Sequence, residues 1–563
     1  MTRIASESLL IDIEAHFKVS AGPGAGKTYW LIQHIKNVIN RSSRLQKFRK
    51  IACVTYTNIA VETIKSRLSS SADRLDVSTI HSFLYQHVLK PYAAFVPIDH
   101  ELNIEKMDGP DDLVLSNYST LNELKSRTKQ KRINDDGAIV KAISAARWKF
   151  DEGKLVCKPN WPHKAQGYAI KNDTYFEYKK IAWSKGVVHH DDVLYLSYLL
   201  IDNCPFILDV LRAKFPYFFI DEFQDTSPIQ SAILGKLGIR ETIVGVIGDP
   251  VQSIYSFQGA DFDKFINFSL PNMKMFTILE NKRSTKKIVA GLNRIRSDIR
   301  QEGTRSAVGD RPTIIVGGAL ESLDKADNLC DQGIIHSLTF KNITSNALKQ
   351  KVNLGGGNHE DLFQKLVSED TNKDRRQCIS ASIKAIVMAN EGQFKDAIKE
   401  MARAFPHIKD KDKRKGVALR CIMNLLARYD ELKTTSLMEL YEIVKLELNQ
   451  KLAGFKAGKP KTFYEEYSYQ QLSLCVKVSD DKNVHRTIHK AKGDEFENVL
   501  LMLTEDNSLD FLISSNLLSS SHEEHRVYYV AMSRAINRLF ISVPYLSVDN
   551  EKLLESDFSI VRI

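Results

Sequence analysis

The sequence predicts an α/β fold in which helices flank parallel sheets, and three observations carry that reading. Short apolar runs of strand length alternate with helical stretches, the rhythm of parallel strands joined by crossover helices. The loop Ala21-Gly22-Pro23-Gly24-Ala25-Gly26-Lys27-Thr28 joins the first such run to the first helix. The pair Asp221-Glu222 closes another apolar run far downstream, in Phe219-Ile220-Asp221-Glu222-Phe223-Gln224-Asp225. A phosphate loop and its acidic pair serve one site at the carboxyl edge of one sheet. The long interval between them therefore implies a whole domain inserted between two strands.

In chain order, Phe17 to Ser20 reads as a strand, and Tyr29 to Ile39 as the helix after the loop. Ile51 to Thr55 is a second strand, followed by a helix to Leu68, and Val77 to Val88 completes the first block. From about Lys90 to Asp209 the pattern turns helical, polar and aromatic. Strands resume at Tyr217 to Ile220 and Ile243 to Ile247. A second sheet is expected to begin near Phe276 and to include Thr313 to Val316. Gly355-Gly356-Gly357 reads as a linker into a helical, basic stretch ending near Asp481. Val499 to Leu503 and Leu539 to Val543 then return as strands.

Bulk properties are permissive. The 563 residues leave room for several domains. The net charge of +10 favours an acidic partner, but a basic enzyme of another kind fits it as well. The seven cysteines are dispersed without a C-x-x-C pair, which points to buried reduced thiols rather than disulfides or metal. No apolar stretch is long enough for a bilayer, and the N-terminus lacks a signal-peptide block, so no membrane role and a cytoplasmic location are expected.

The loop has a definite chemistry. Its glycines let backbone N–H groups wrap phosphates, and the helix N-terminus adds positive potential. Lys27 can neutralise the β- and γ-phosphates, and the Thr28 hydroxyl can ligate Mg²⁺, so ATP and Mg²⁺ are the expected cofactors. A chance glycine-rich turn is the competing reading, opposed by the Lys-Thr spacing and the strand–loop–helix setting. Asp221 would hold Mg²⁺ through water, while Glu222 would orient and deprotonate the attacking water; alternatively, two carboxylates at a strand end cap the next helix. His189-His190-Asp191-Asp192 invites a metal reading, but spaced ligands are missing elsewhere, and aspartates suit a helix start.

Further strings resemble the UvrD/Rep-like superfamily 1A DNA helicases, in family order. Ile51 to Ala60, with Thr55-Tyr56-Thr57-Asn58, is similar to motif Ia, and Thr79-Ile80-His81-Ser82-Phe83 to Ib. Asp221 to Asp225 is similar to motif II, Gly248 to Ala260 to III, and Leu279 to Ser284 to IV. Thr487 to Phe496 is similar to motif V and Val530 to Ala535 to VI. The resemblance implies two RecA-like P-loop motor domains, each with a mainly helical insertion. Residues 1–90 and 205–275 would form domain 1A, 91–204 insertion 1B, 276–354 and 482–563 domain 2A, and 355–481 a shortened insertion 2B. It also implies roles. Gln252 would sense the γ-phosphate, and Arg283 and Arg534, both from the second sheet domain, would be arginine fingers. Glu495 would bind the ribose. Thr55, Tyr56, Thr57, Asn58, His81, Tyr255, Phe257, Thr487 and His489 would meet DNA, with Tyr56, Tyr255 and Phe257 offering faces for base stacking. Each arginine could instead form a surface ion pair. Basic runs at Lys125 to Arg132 and Lys409 to Lys415 read as solvated helix faces.

The chain also departs from the family. No clear glutamine motif precedes the loop, Lys282 replaces an adenine-stacking tyrosine, Gln258 an arginine, and Asp494 an apolar residue. Its size and missing parts resemble the compact UvrD-like subunits of anti-phage systems such as Gabija, whose partner is an OLD-family (TOPRIM) nuclease. Three activities are compatible: a 3′→5′ translocase and helicase on single-stranded or tailed DNA, a DNA-end-sensing ATPase that regulates a nuclease, and a DNA-binding scaffold.

Overall fold

Two parallel sheets organise the chain. The structure, a computed structural model, describes all residues except 113, 257–258, 331–332, 354–361, 449–451, 479–482, 505–508, 514–516 and 519–522. Phe257, Gln258 and the glycine linker at 355–357 thus lie outside the described residues. The chain divides into two compact units, Met1–Val308 with Ser515–Tyr529, and Gly309–Ser514 with Val530–Ile563.

The first unit holds a seven-stranded sheet of β1 (Thr2–Arg3), β2 (Phe17–Ala21), β3 (Ile51–Thr55), β4 (Leu75–Thr79), β5 (Tyr217–Ile220), β6 (Ile243–Gly248) and β7 (Lys274–Ile278). Their order is β1-β7-β2-β6-β5-β3-β4, all parallel. Strands buried on both faces need apolar residues throughout, and β5 is such a strand. Tyr217 and Phe219 join one core with Phe17, Val19 and Trp30, while Phe218 and Ile220 join another beneath the helical block. Helices α1 (Lys27–Arg41) and α2 (Asn58–Arg67) follow β2 and β3. The block between β4 and β5 is mainly helical, including α3 (His190–Asn203), and it also carries two antiparallel hairpins, Arg147–Asp151 with Lys154–Lys158 and Lys164–Ala165 with Tyr168–Ala169. After β5 comes α4 (Pro228–Gly238), and after β7 comes α5 (Lys286–Ile295).

The second unit holds β8 (Thr313–Val316), β9 (Ile335–Thr339), β10 (His485–Thr487), β11 (Phe496–Met502), β12 (Ala535–Val543) and β13 (Ser559–Arg562). They form a parallel sheet in the order β10-β9-β11-β12-β8-β13. Helices between Leu362 and Leu474 have their own core, with Ile379, Ile383, Leu425, Leu440 and Tyr441 fully buried. Helix α6 (Glu523–Met532) runs from the part of the chain assigned to the first unit into the second.

One boundary differs from expectation. Lys274–Ile278, where the second sheet was to begin, pairs with β2 in the first sheet, Phe276 opposite Val19. The backbone then passes against the phosphate loop, with Lys282 N donating to Gly24 O, and residues to Val308, Arg283 included, belong to the first unit. The same unit takes up Ser515–Tyr529, expected in the second.

Candidate functional site

The phosphate loop leaves β2, whose five residues are all buried, and enters α1 through Gly26. Gly24 and Gly26 have φ of 67° and 79°, the left-handed region that glycine occupies without strain. A Cβ on Gly24 would lie 2.7 Å from Arg283 Cβ and 2.9 Å from Asn281 Oδ1. Residues 281–301 hold the loop from outside. The Asn281 amide donates to the Pro23 carbonyl at 3.1 Å, Gln301 Nε2 donates to the same oxygen at 2.9 Å, and Lys282 N donates to Gly24 O at 2.9 Å. Arg283 is thereby brought against the loop. Lys27 is buried, with Nζ 3.4 Å from the carbonyls of Ala21 and Gly22.

Asp221 follows β5 directly and is buried, and its Oδ2 accepts from the Thr28 hydroxyl at 2.8 Å. Burial first, and the neighbouring Glu222 charge second, push its pKa up to about 6, against the opposing pull of Thr28 and Lys27. Two hard oxygens so close together suit Mg²⁺, whose charge would favour the ionised carboxylate. Glu222 has φ of 54°, a left-handed conformation costing a non-glycine residue about 1–2 kcal/mol. It is held there by Gln224, whose Nε2 donates to Glu222 Oε2 at 2.5 Å, and by the turn in which Asp225 N donates to Glu222 O at 3.0 Å. Strain of this kind is found where a side chain must be aimed. Gln224 also accepts from Asp249 N at 3.0 Å, tying the acidic pair to the next loop. There Gln252, buried, donates from Nε2 to Asp249 Oδ2 at 2.7 Å.

The departure at Lys282 has a local partner set. Its ammonium pairs with Glu7 and lies 3.6 Å from Glu280, whose carboxylate also accepts from Ser6 N and Oγ at 3.1 and 2.8 Å. An ion-paired cluster thus stands where the family pattern has an aromatic ring.

The residues expected to meet DNA separate into two groups. Tyr56 and Tyr255 stack, with ring centroids 5.1 Å apart and planes 17° from parallel. Thr57 and Asn58 are exposed at the start of α2, which the Thr57 hydroxyl caps by accepting from Ala60 N at 3.2 Å. His81 packs edge-on to His190, with centroids 5.8 Å apart; burial, then the His190 charge, lowers its pKa to about 4, so its ring is neutral at pH 7. Thr55, by contrast, is 2% exposed at the end of β3, its hydroxyl sealed from solvent. A buried hydroxyl does not reach a bound strand without movement of the sheet edge.

In the second unit, Thr487 ends β10 and is buried, His489 lies half-buried in the following turn, and Glu495 is exposed. Arg534 is buried, donating from Nε to Val530 O at 3.1 Å and from Nη2 to Ser533 Oγ at 2.9 Å. Asp494 is paired: Arg486 Nη1 donates to its carboxylate at 2.8 Å, and the same guanidinium lies over the Phe496 ring. That pairing accounts for the charged residue at an apolar family position.

His189 to Asp192 form a helix start. His189 caps α3 in a capping box with Asp192, and Asp192 accepts from the Trp148 and Trp183 indoles at 2.8 and 2.9 Å and pairs with Lys179 at 2.7 Å. Among the described residues no group of three His, Cys, Asp or Glu side chains could hold a metal ion. Among the same residues no single helix is long and apolar enough to cross a membrane. All seven cysteines are free. Lys125 and Arg127 in the first basic run are ion-paired, with Asp136 and with Glu101 and Glu123. Asn281, Gln224, Gln301 and Arg296 are site residues that sequence reading missed. Asn281 and Gln224 had a local signal, their places in the strings around Arg283 and Asp221.

The model for the UvrD/REP helicase N-terminal domain matches residues 2–271, and that for the UvrD-like helicase C-terminal domain matches residues 344–545. The ATP-dependent DNA helicase PcrA of Bacillus subtilis (strain 168) is 29% identical over 283 residues, 49% of this chain, and the matched stretch spans 36% of that protein. The Gabija protein GajB of Bacillus cereus (strain HuB5-5) is 25% identical over 545 residues, covering 87% of this chain and 71% of that one. PcrA of Staphylococcus epidermidis (strain ATCC 35984) is 22% identical over 605 residues, covering 94% and 81%.

Proposed function

The chain belongs to the UvrD/Rep helicase family, and from that premise we propose that it is an ATP- and Mg²⁺-dependent motor moving 3′→5′ along single-stranded DNA and separating tailed duplexes. The observation that carries the reading is the joint between phosphate loop and acidic pair, with Thr28 bonded to Asp221 at 2.8 Å and Glu222 next to it in a left-handed conformation. In this reading the loop backbone from Ala21 to Gly26 and Lys27 bind the phosphates, and Thr28 and Asp221 hold Mg²⁺. Glu222 takes the proton of the attacking water. Gln252 reads the γ-phosphate, Arg283 and Arg534 stabilise charge on the transferring group, and Glu495 accepts from the ribose. The stacked Tyr56 and Tyr255, with Thr57 and Asn58 beside Tyr56 in sequence, supply the DNA face. The first motor domain then extends to Val308 rather than ending at 275.

A second reading is an ATPase that senses DNA ends and regulates a partner nuclease of the OLD (TOPRIM) class in anti-phage defence. It is favoured by the likeness to a Gabija protein along 87% of the chain. Strand displacement on 3′- and 5′-tailed duplexes, measured beside DNA-stimulated ATPase, separates the two. Displacement confined to 3′ tails supports the motor; strong ATPase without displacement supports the sensor. Glu222→Gln should cut turnover by about 10³-fold or more while ATP still binds, and retained hydrolysis would remove Glu222 as the base.

A further inference from the structure

Arg296, at the end of α5, is fully buried and its guanidinium is ion-paired. Arginine has five N–H donors in a fixed fork, and each of its three guanidinium nitrogens has a carboxylate partner. Nε and Nη2 donate to Asp298 at 2.8 and 2.9 Å. Nη1 donates to Asp249 Oδ2 at 2.8 Å and to the Tyr529 hydroxyl at 3.3 Å, and Nη2 lies 2.8 Å from Asp249 Oδ1 in an ion pair. Asp249 is held well by this pairing: burial alone would raise its pKa, but the Arg296 charge and hydrogen bonds outweigh that and lower it.

Asp249 passes the constraint on. Its Oδ1 accepts from Val251 N at 3.2 Å, fixing the turn Pro250–Gln252, and its Oδ2 accepts from Gln252 Nε2 at 2.7 Å. A carboxylate only accepts, so it selects the amide nitrogen of Gln252 and thereby sets which way the amide oxygen faces. Helix α6 reaches the same loop at two points and Arg296 at a third. Glu523 accepts from Ser256 N at 3.1 Å, Arg526 Nε donates to Ser253 O at 3.0 Å, and Tyr529 accepts from Arg296 Nη1. A buried arginine between two aspartates is costly to desolvate and is poor evidence for stability alone. Two bidentate pairs, however, give orientation that a lysine ammonium cannot reproduce.

We infer that Arg296 is a positioning residue for ATP hydrolysis, clamping Asp249 so that Asp249 fixes the amide of Gln252, with Tyr529 joining α6 to the same clamp. The inference rests on the ATPase reading above and deepens it. Arg296→Lys keeps the charge and loses the fork, so the full-length variant tests it directly. DNA-stimulated turnover should fall about 10–100-fold, the scale of a small misplacement of a reacting group, while KM for ATP changes less than about threefold. In a Gln252→Ala background the same change should cause no further loss, because both substitutions break one chain of contacts. An equal loss in both backgrounds, or unchanged turnover, would overturn the inference. If Arg296→Lys is not folded at the assay temperature, Tyr529→Phe, which removes one acceptor and no charge, takes its place. A several-fold loss of turnover that vanishes with Gln252→Ala supports the clamp, and an additive loss or none overturns it. Absence of ATPase in the wild-type chain would sink the proposed function; wild-type ATPase with an additive cycle sinks this inference alone.

Discussion

Replacing Asp192 with alanine is expected to destabilise the first unit by about 4 kcal/mol. Lys179 Nζ lies 2.7 Å from Asp192 Oδ1, with both side chains buried, and stranding a buried ammonium costs about 3–5 kcal/mol. The Trp148 and Trp183 indoles and the His189 ring lose their acceptor together. Each unmade bond costs about 1–3 kcal/mol alone, but these share one site and relax jointly, so they are not summed onto the first figure. Asp192→Asn keeps the shape and an acceptor yet drops the charge, and about 2–3 kcal/mol is expected. Urea unfolding followed by tryptophan fluorescence reads the loss, with Trp148 and Trp183 as reporters. The pH dependence has a definite sign. Burial alone would raise the Asp192 pKa, but Lys179 and His189 prevail and hold it below the ordinary carboxylate range. A depressed pKa contributes stability that is complete above the unfolded value of 3.8 and is lost as pH falls through the folded value. The gap between wild type and Asp192→Asn should therefore shrink below about pH 4. A loss under about 1 kcal/mol at pH 7 would refute the reasoning, since it would mean that the cluster is solvated or repacks freely.

Gly24→Ala places a methyl 2.7 Å from Arg283 Cβ, and its φ of 67° costs alanine about 1 kcal/mol besides. ATP binding by calorimetry should weaken at least about tenfold, and affinity within twofold of wild type would mean that residues 281–283 do not constrain the loop. Asp494→Leu restores the apolar family residue but takes the carboxylate from Arg486, which is 7% exposed. A loss of about 1–2 kcal/mol is expected, with about 1 kcal/mol of coupling in a double-mutant cycle with Arg486→Leu; additive losses would leave the departure without its structural account.

What could be read from the sequence was local. The loop from Ala21 to Thr28 and the strand leading to Asp221 declare themselves because glycine, lysine, threonine and carboxylate must stand at fixed spacing for phosphate chemistry, and the parallel α/β architecture followed from the same strings. What escaped depends on partners distant in sequence. The strand Lys274–Ile278 looked like the start of a new sheet, since nothing in its residues says that its neighbour is Phe17–Ala21. Arg296 meets Asp249 and Tyr529 at separations of 47 and 233 residues, beyond any periodicity. Thr55 was placed on the DNA face by its motif, while its burial is set by β4, β5 and the helices around them. Asp494 looked like a defect until Arg486 stood beside it.

The order of strands also fixes when the nucleotide pocket can come into being. Strand β2 lies between β6 and β7, with Phe17 in register with Gly245 on one side and Lys274 on the other. The Phe17 ring occupies the space that a side chain at 245 would need, 2.1 Å from where a Cβ would stand. A ribosome adding about 5–20 residues per second emits β2 roughly 13–50 s before β7. Until β6 emerges the nascent chain carries an apolar strand with both edges unpaired, and until β7 emerges one edge stays open, the condition that invites aggregation or chaperone capture. The pocket is therefore among the last parts of the first unit to mature, and a chain released before Ile243 has no means of building it.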